Sequence, residues 1–142
     1  MNKFLIATHG ALASGILSTI EIIIGNNKNI EYIDAFTEGT DLVKELGTFI
    51  QEIDENDVGV IFTDLRGGSV NQKAFNMVGN TDKKNIFVVT GFNLALILSL
   101  VLKSNRIVKE EIDTEIKVAR EQMQLLEVES EDSAEIQNGF FN

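Results

Sequence analysis

The only histidine of the chain, His9, stands in Thr8-His9-Gly10-Ala11, immediately after the apolar run Phe4-Leu5-Ile6-Ala7. An imidazole with a reference pKa near ~6.5 is largely neutral at neutral pH. One ring nitrogen is then a nucleophile whenever a carboxylate holds the other as N–H. A second stretch supplies such a carboxylate: Val58-Gly59-Val60-Ile61-Phe62-Thr63 runs into Asp64-Leu65-Arg66-Gly67-Gly68-Ser69. Asp64 can fix the tautomer, orient the ring and stabilise the positive charge that develops on attack. A phosphoryl group arriving at the ring also needs donors. The amides at the helix start after Gly10, the Gly67-Gly68 backbone and the hydroxyls of Thr8 and Ser69 are candidates to hydrogen-bond its oxygens without a metal.

Taken singly, each of these residues has a plainer use. A lone histidine is more often a surface or satisfied polar residue than a catalyst, and Gly-Gly-Ser is commonly a tight turn followed by a helix cap. Asp64 alone reads as a strand-end residue bonding nearby amides, and Arg66 either grips phosphate or is a solvated loop residue. Asn93 reads as a cap, and Asp34 has no argued role beyond solvating a loop. The functional reading rests on the two turns together. A Ser-His-Asp hydrolase drawn from Ser69 or Ser14 with His9 and Asp64 lacks the nucleophile-elbow pattern. Neither G-x-G-x-x-G nor a P-loop is present, and one histidine with scattered carboxylates makes a poor metal set. What stands beside a covalent carrier is a non-catalytic regulatory or anion-binding module using the same crevice.

The elements that must position these turns follow from the periodicity. Met1 to Ala7 reads as a strand, and Leu12, Ile16, Ile20, Ile23 and Ile24 recur at helical spacing until Gly25-Asn26-Asn27. Ile30 to Phe36 reads as a second strand. A helix capped by Thr40 follows, with Leu42, Leu46, Phe49, Ile50 and Ile53 on its apolar face. Val58 to Thr63 is nearly all apolar, as a parallel strand buried on both faces must be. Ser69 is read as the cap of a third helix carrying Val70, Ala74, Met77 and Val78 inward. Ile86 to Thr90 reads as a fourth strand, and Asn93 as the cap of an apolar helix from Leu94 to Leu102. In a long last helix Ile112, Ile116, Ala119, Met123 and Leu126 share one face, while Gln124 to Ser130 reads as its final turns or a short edge strand.

Strands alternating with helices predict an α/β fold, a mainly parallel four-stranded sheet with right-handed crossovers and helices on both faces. In the order 2-1-3-4 the crevice at the carboxyl ends lies between strands 1 and 3, and therefore between His9 and Asp64.

Composition bounds the rest. A chain of 142 residues with 44% apolar content suits one compact domain, expected over residues 1–130, with an acidic, loosely held tail over residues 131–142. Phe140-Phe141 are the tail's only docking candidates. The net charge of -10 argues against nucleic acid as a partner. The absence of cysteine excludes disulfides, thiolate nucleophiles and cysteine-ligated metals. With no segment resembling a signal peptide or a membrane span, a cytoplasmic protein is expected.

Three ordered motifs carry a family resemblance: Ala7-Thr8-His9-Gly10, Thr63-Asp64-Leu65-Arg66-Gly67-Gly68-Ser69 and Thr90-Gly91-Phe92-Asn93-Leu94. Over about Met1 to Glu127 the chain resembles the IIA component of the mannose class of the bacterial phosphoenolpyruvate-dependent sugar phosphotransferase system. The resemblance implies that His9 accepts a phosphoryl group from the phosphocarrier HPr and passes it to a IIB component, coupled to sugar uptake through membrane subunits. It implies Asp64 as orienting partner and Thr8 and Ser69 in the phosphate pocket, with no cofactor and no metal. It also implies a homodimer in which a C-terminal strand, here around Gln124 to Ser130, is exchanged and adds antiparallel to the partner's sheet. The chain departs from the usual pattern where Val70 and Ala95 replace prolines.

Overall fold

The computed structural model describes residues 1–128. The elements are β1 (Asn2–His9), α1 (Leu12–Ile24), β2 (Ile30–Ala35), α2 (Leu42–Glu52), β3 (Val58–Thr63), α3 (Ser69–Gly79), β4 (Ile86–Thr90), α4 (Leu94–Val101) and α5 (Lys109–Arg120). The four strands form one parallel sheet in the order β2-β1-β3-β4. This is the α/β architecture that the alternation predicts.

Two apolar clusters, one on each face of the sheet, explain why the central strands read as unbroken hydrophobic runs. Phe4, Ile6, Val60 and Phe62 face α1, α4 and α5, meeting Ile20, Ile97, Leu100 and Ile112. Leu5, Ala7 and Ile61 face α2 and α3, meeting Leu46, Phe49, Val70 and Ala74. All six residues of β3 are buried. The rings of Phe4 and Phe62 stack at 6.3 Å, and Phe92 meets Phe62 edge-on at the same separation. Phe4 and Phe62, both fully buried, each contribute about 1.5–3 kcal/mol through apolar burial.

The structure corrects several local expectations. β1 runs on to His9, so the histidine is the strand's last residue, and β2 stops at Ala35. Asp41, not Thr40, caps α2, its Oδ1 accepting from Lys44 N at 3.1 Å. On α1 it is Ile16, Ile20 and Ile24 that pack, while Leu12 and Ile23 are exposed. α5 ends at Arg120, and Gln124 to Val128 are neither helix nor strand. Met123 and Leu126 of the expected apolar face are exposed, since they lie beyond the end of α5. Residues 129 and 130 of the expected strand and the whole tail with Phe140-Phe141 lie outside the described residues. No helix among the described residues is long and apolar enough to cross a membrane.

Candidate phosphoryl-transfer site

The site is assembled by register. Ala7 pairs with Thr63 across β1 and β3, so the chain leaves the sheet at His9 and Asp64 side by side at the carboxyl edge. The two adjacent strands continue into helices on opposite faces, α1 and α3, which opens the crevice between them.

His9 and Asp64 make two contacts. The backbone N–H of His9 donates to Asp64 Oδ2 at 2.8 Å, and His9 Nδ1 lies 2.8 Å from the same oxygen. Leu65 N donates to Oδ1 at 3.0 Å. Burial pushes the Asp64 carboxyl up, but the hydrogen bonds from the His9 backbone, the His9 ring and Leu65 outweigh it and hold the group below the ordinary carboxylate range. An ionised carboxylate can only accept, so Nδ1 carries the proton and Nε2 presents its lone pair. Ser69 Oγ sits 3.1 Å from Nε2 and donates to that lone pair. The ring is 41% exposed while Asp64 is 11% exposed, so the imidazole faces outward and its carboxylate partner does not.

Ser69 is not the helix cap. Gly68 occupies that position and the Ser69 hydroxyl is turned to the histidine instead. The amides of Gly10, Gly67 and Gly68 are engaged within the fold. Gly10 N donates to Ala35 O at 2.9 Å, Gly67 N to Asn71 Oδ1 at 3.0 Å and Gly68 N to Leu65 O at 3.0 Å. Gly67 has a φ of 75°, which a side chain would strain. A Cβ on Gly68 would press Leu65 O at 3.2 Å and come within 3.6 Å of His9 Cε1. These glycines shape the loop. The first amides of α3, which have no acceptor within the helix, begin at Ser69 and put the helix's positive end beside Nε2.

Thr8 is fully buried and its Oγ1 accepts from Ala13 N at 2.8 Å, so it ties down the start of α1 from below the site. Asp34, for which sequence spacing suggested only solvation, is a second tie: it accepts from Ser14 N at 2.9 Å and from Ser14 Oγ at 2.6 Å. Its place opposite Thr8 in the β1–β2 register was the missed signal. Asn71 was missed too. Its Oδ1 receives Gly67 N and its Nδ2 donates to Thr63 Oγ1 at 2.9 Å, bracing the loop against β3. Phe36, read as the end of a strand, instead leaves β2 at a φ of 63° and lays its ring 5.2 Å from that of His9. Arg66 is exposed on the loop. Asn93 is the expected cap, accepting from Leu96 N at 2.9 Å. Among the described residues no group of three His, Cys, Asp or Glu side chains is placed to hold a metal ion.

A histidine oriented by a carboxylate at the switch point of this sheet now meets the comparison with known proteins. Residues 3–117 match the family model EIIA-man, the PTS system fructose IIA component. The chain belongs to this mannose-class IIA family. Among solved structures it is similar to the phosphotransferase system component EIIA from Streptococcus agalactiae, with 26% identity over 88% of this chain and 97% of that one and a TM-score of 0.77. The PTS IIA protein associated with the fucose utilization operon of Streptococcus pneumoniae is also 26% identical, over 87% of this chain and 92% of that one, with a TM-score of 0.70. The mannose/sorbose specific IIA subunit from Enterococcus faecalis shares the fold, with a TM-score of 0.75 at 20% identity over 91% and 97% of the two chains. The IIA chain is thus a component of a sugar phosphotransferase system.

Proposed function

We propose that this IIA chain is a phosphoryl carrier in which His9 Nε2 receives a phosphoryl group from phospho-HPr and hands it to a IIB component, coupled to sugar uptake through membrane subunits. The observation that carries the reading is the pair of contacts on the ring: Asp64 holds Nδ1 while Nε2 faces Ser69 and the crevice mouth. In the forward step the Nε2 lone pair forms a bond to phosphorus as the donor's P–N bond breaks. The departing electron pair returns to the donor's ring nitrogen. His9 keeps its Nδ1 proton, and the positive charge that develops on the ring is met by the ionised Asp64.

Ser69 Oγ then turns from Nε2 to a phosphoryl oxygen, and the first amides of α3 meet the added negative charge. Thr8 contributes by fixing α1, and Gly10, Gly67 and Gly68 by the shape of the two turns. No metal is required if these donors and Asp64 carry the charge, and transfer in EDTA at an undiminished rate is the expected result. The protein works in the cytoplasm, where its donor is found.

A homodimer with an exchanged C-terminal strand is part of the same proposal. In its support, β4 is an edge strand, and Leu125 and Val128 expose 85% and 80% of their surface after α5.

The test is intact mass after incubation with phosphoenolpyruvate, enzyme I and HPr. One phosphate is expected on the wild type and none on His9→Ala. No added mass on the wild type, with active HPr confirmed on a known acceptor, would sink the carrier reading in favour of a binding module.

A further inference from the structure

Phe36 is held in a conformation that its own packing does not explain. A bulky residue at a φ of 63° is an outlier, since its Cβ crowds the backbone there. Such strain is ordinarily compensated by burial, yet 66% of Phe36 is exposed. In that conformation the ring lies against the His9 imidazole. The ring centroid lies 5.2 Å from that of His9, with the planes inclined at 36°.

Phe36 adds to the imidazole's other contacts, in which Asp64 holds Nδ1 and Ser69 meets Nε2. The two nitrogen contacts act at the ring's edge, and neither supports its face. An aromatic ring within about 6 Å does so, and its π-face also attracts the ring when it becomes cationic on attack.

We propose that Phe36 is a positioning residue for the phosphoryl transfer, holding the His9 imidazole in the attacking rotamer and stabilising its positive charge; this rests on the carrier reading of His9. Asp64 and Ser69 keep their hold on the two ring nitrogens when the Phe36 ring is removed, so its removal slows transfer without abolishing it.

The experiment follows phosphorylation of His9 with two donors, phospho-HPr and the small molecule phosphoramidate, which needs no docking surface. Phe36→Leu and Phe36→Gly are expected to slow both reactions by about two- to fivefold, the worth of one exposed cation–π contact. Phe36→Tyr keeps the wild-type rate, because the aromatic face is retained. Phe36→Gly, which relieves the positive φ, keeps or raises the unfolding midpoint even as the rate falls. That combination separates positioning from a merely structural role.

Wild-type rates in Phe36→Leu with phosphoramidate overturn the proposal, and a loss confined to phospho-HPr makes Phe36 a docking residue instead. The contact is also read without any transfer, from the His9 Hε1 and Hδ2 proton resonances. These should move when Phe36→Leu removes the ring current, and unmoved resonances would refute the contact. Failure of phosphoramidate and phospho-HPr to modify wild-type His9 would overturn the carrier reading and the positioning role with it, whereas active wild type with an unslowed Phe36→Leu overturns the positioning role alone.

Discussion

The two ends of the sheet use polar side chains in opposite ways. At the amino end, cations and amides gather the backbone carbonyls of the α2–β3 connection. Lys83 Nζ donates to Ile50 O at 2.7 Å, Gln51 O at 3.2 Å and Ile53 O at 2.7 Å, while Asn85 Nδ2 reaches Asp54 O at 2.6 Å and Asp57 O at 2.8 Å. Arg106 donates to Asn56 O at 2.7 Å and Glu55 O at 3.2 Å, and Lys3 to Glu52 O at 3.0 Å. At the carboxyl end, the Asp64 carboxylate is committed to one ring and its flanking backbone, and the ring's other nitrogen faces outward. A helix C-terminus has unpaired carbonyls that a cation satisfies, so Lys83 closes the chain. A carboxylate that only accepts gives the imidazole a fixed tautomer, which is what the proposed phosphoryl transfer asks of Asp64. Similar hydrogen-bond lengths therefore close the chain at one end and orient an imidazole at the other.

Asp64→Asn should break the distinction most strongly at the reactive end. The amide can still accept from the His9 backbone but no longer enforces the tautomer or balances the ring's charge. Phosphorylation of His9 should slow by about 10²-fold or more, with circular dichroism and unfolding cooperativity preserved. Wild-type rates would remove the orienting role.

Lys83→Met is the converse at the other end. Three carbonyls lose their donor, so the chain should be destabilised by about 1–3 kcal/mol in denaturant titration, with phosphorylation of His9 unchanged at permissive temperature. An equal loss of rate and stability would show that the two ends are not separable.

Asp57 sharpens the comparison through pH. The hydrogen bond from the Asp54 backbone, with help from Lys3 and the N-terminal ammonium, overcomes its desolvation and holds its carboxyl below the ordinary value. A group lowered in the folded state stabilises it above the unfolded pKa of about 4 and loses that contribution as pH falls through the folded value. The stability difference between wild type and Asp57→Asn should be constant from neutral pH down to the carboxylate range and shrink below it. A difference that persisted at the acid end would point to packing instead.

The smallest effect belongs to neither end. Lys109 and Asp113 pair at 2.7 Å on the exposed side of α5, where water screens the charge. Lys109→Ala should leave both the unfolding midpoint and the phosphorylation rate unchanged.

Much of this molecule was legible before its structure. The apolar runs of β1 and β3 and the spacing of Leu46, Phe49 and Ile50 on α2 specify buried faces, because periodicity records which side of an element must avoid water. The strand order and the choice of His9 and Asp64 followed from the same pattern, since parallel crossovers leave few arrangements and the switch point lies between β1 and β3. Hydrogen-bond allegiance was not legible. Ser69 sits where a cap belongs, yet Gly68 takes the cap and Ser69 turns to the imidazole, while Gly67 and Gly68 give their amides to the loop itself. A short polar side chain has local and distant partners of similar energy, and only the assembled fold decides between them. Phe36 is the extreme case: no local pattern places an aromatic residue at positive φ, and the ring it meets there comes from the end of another strand.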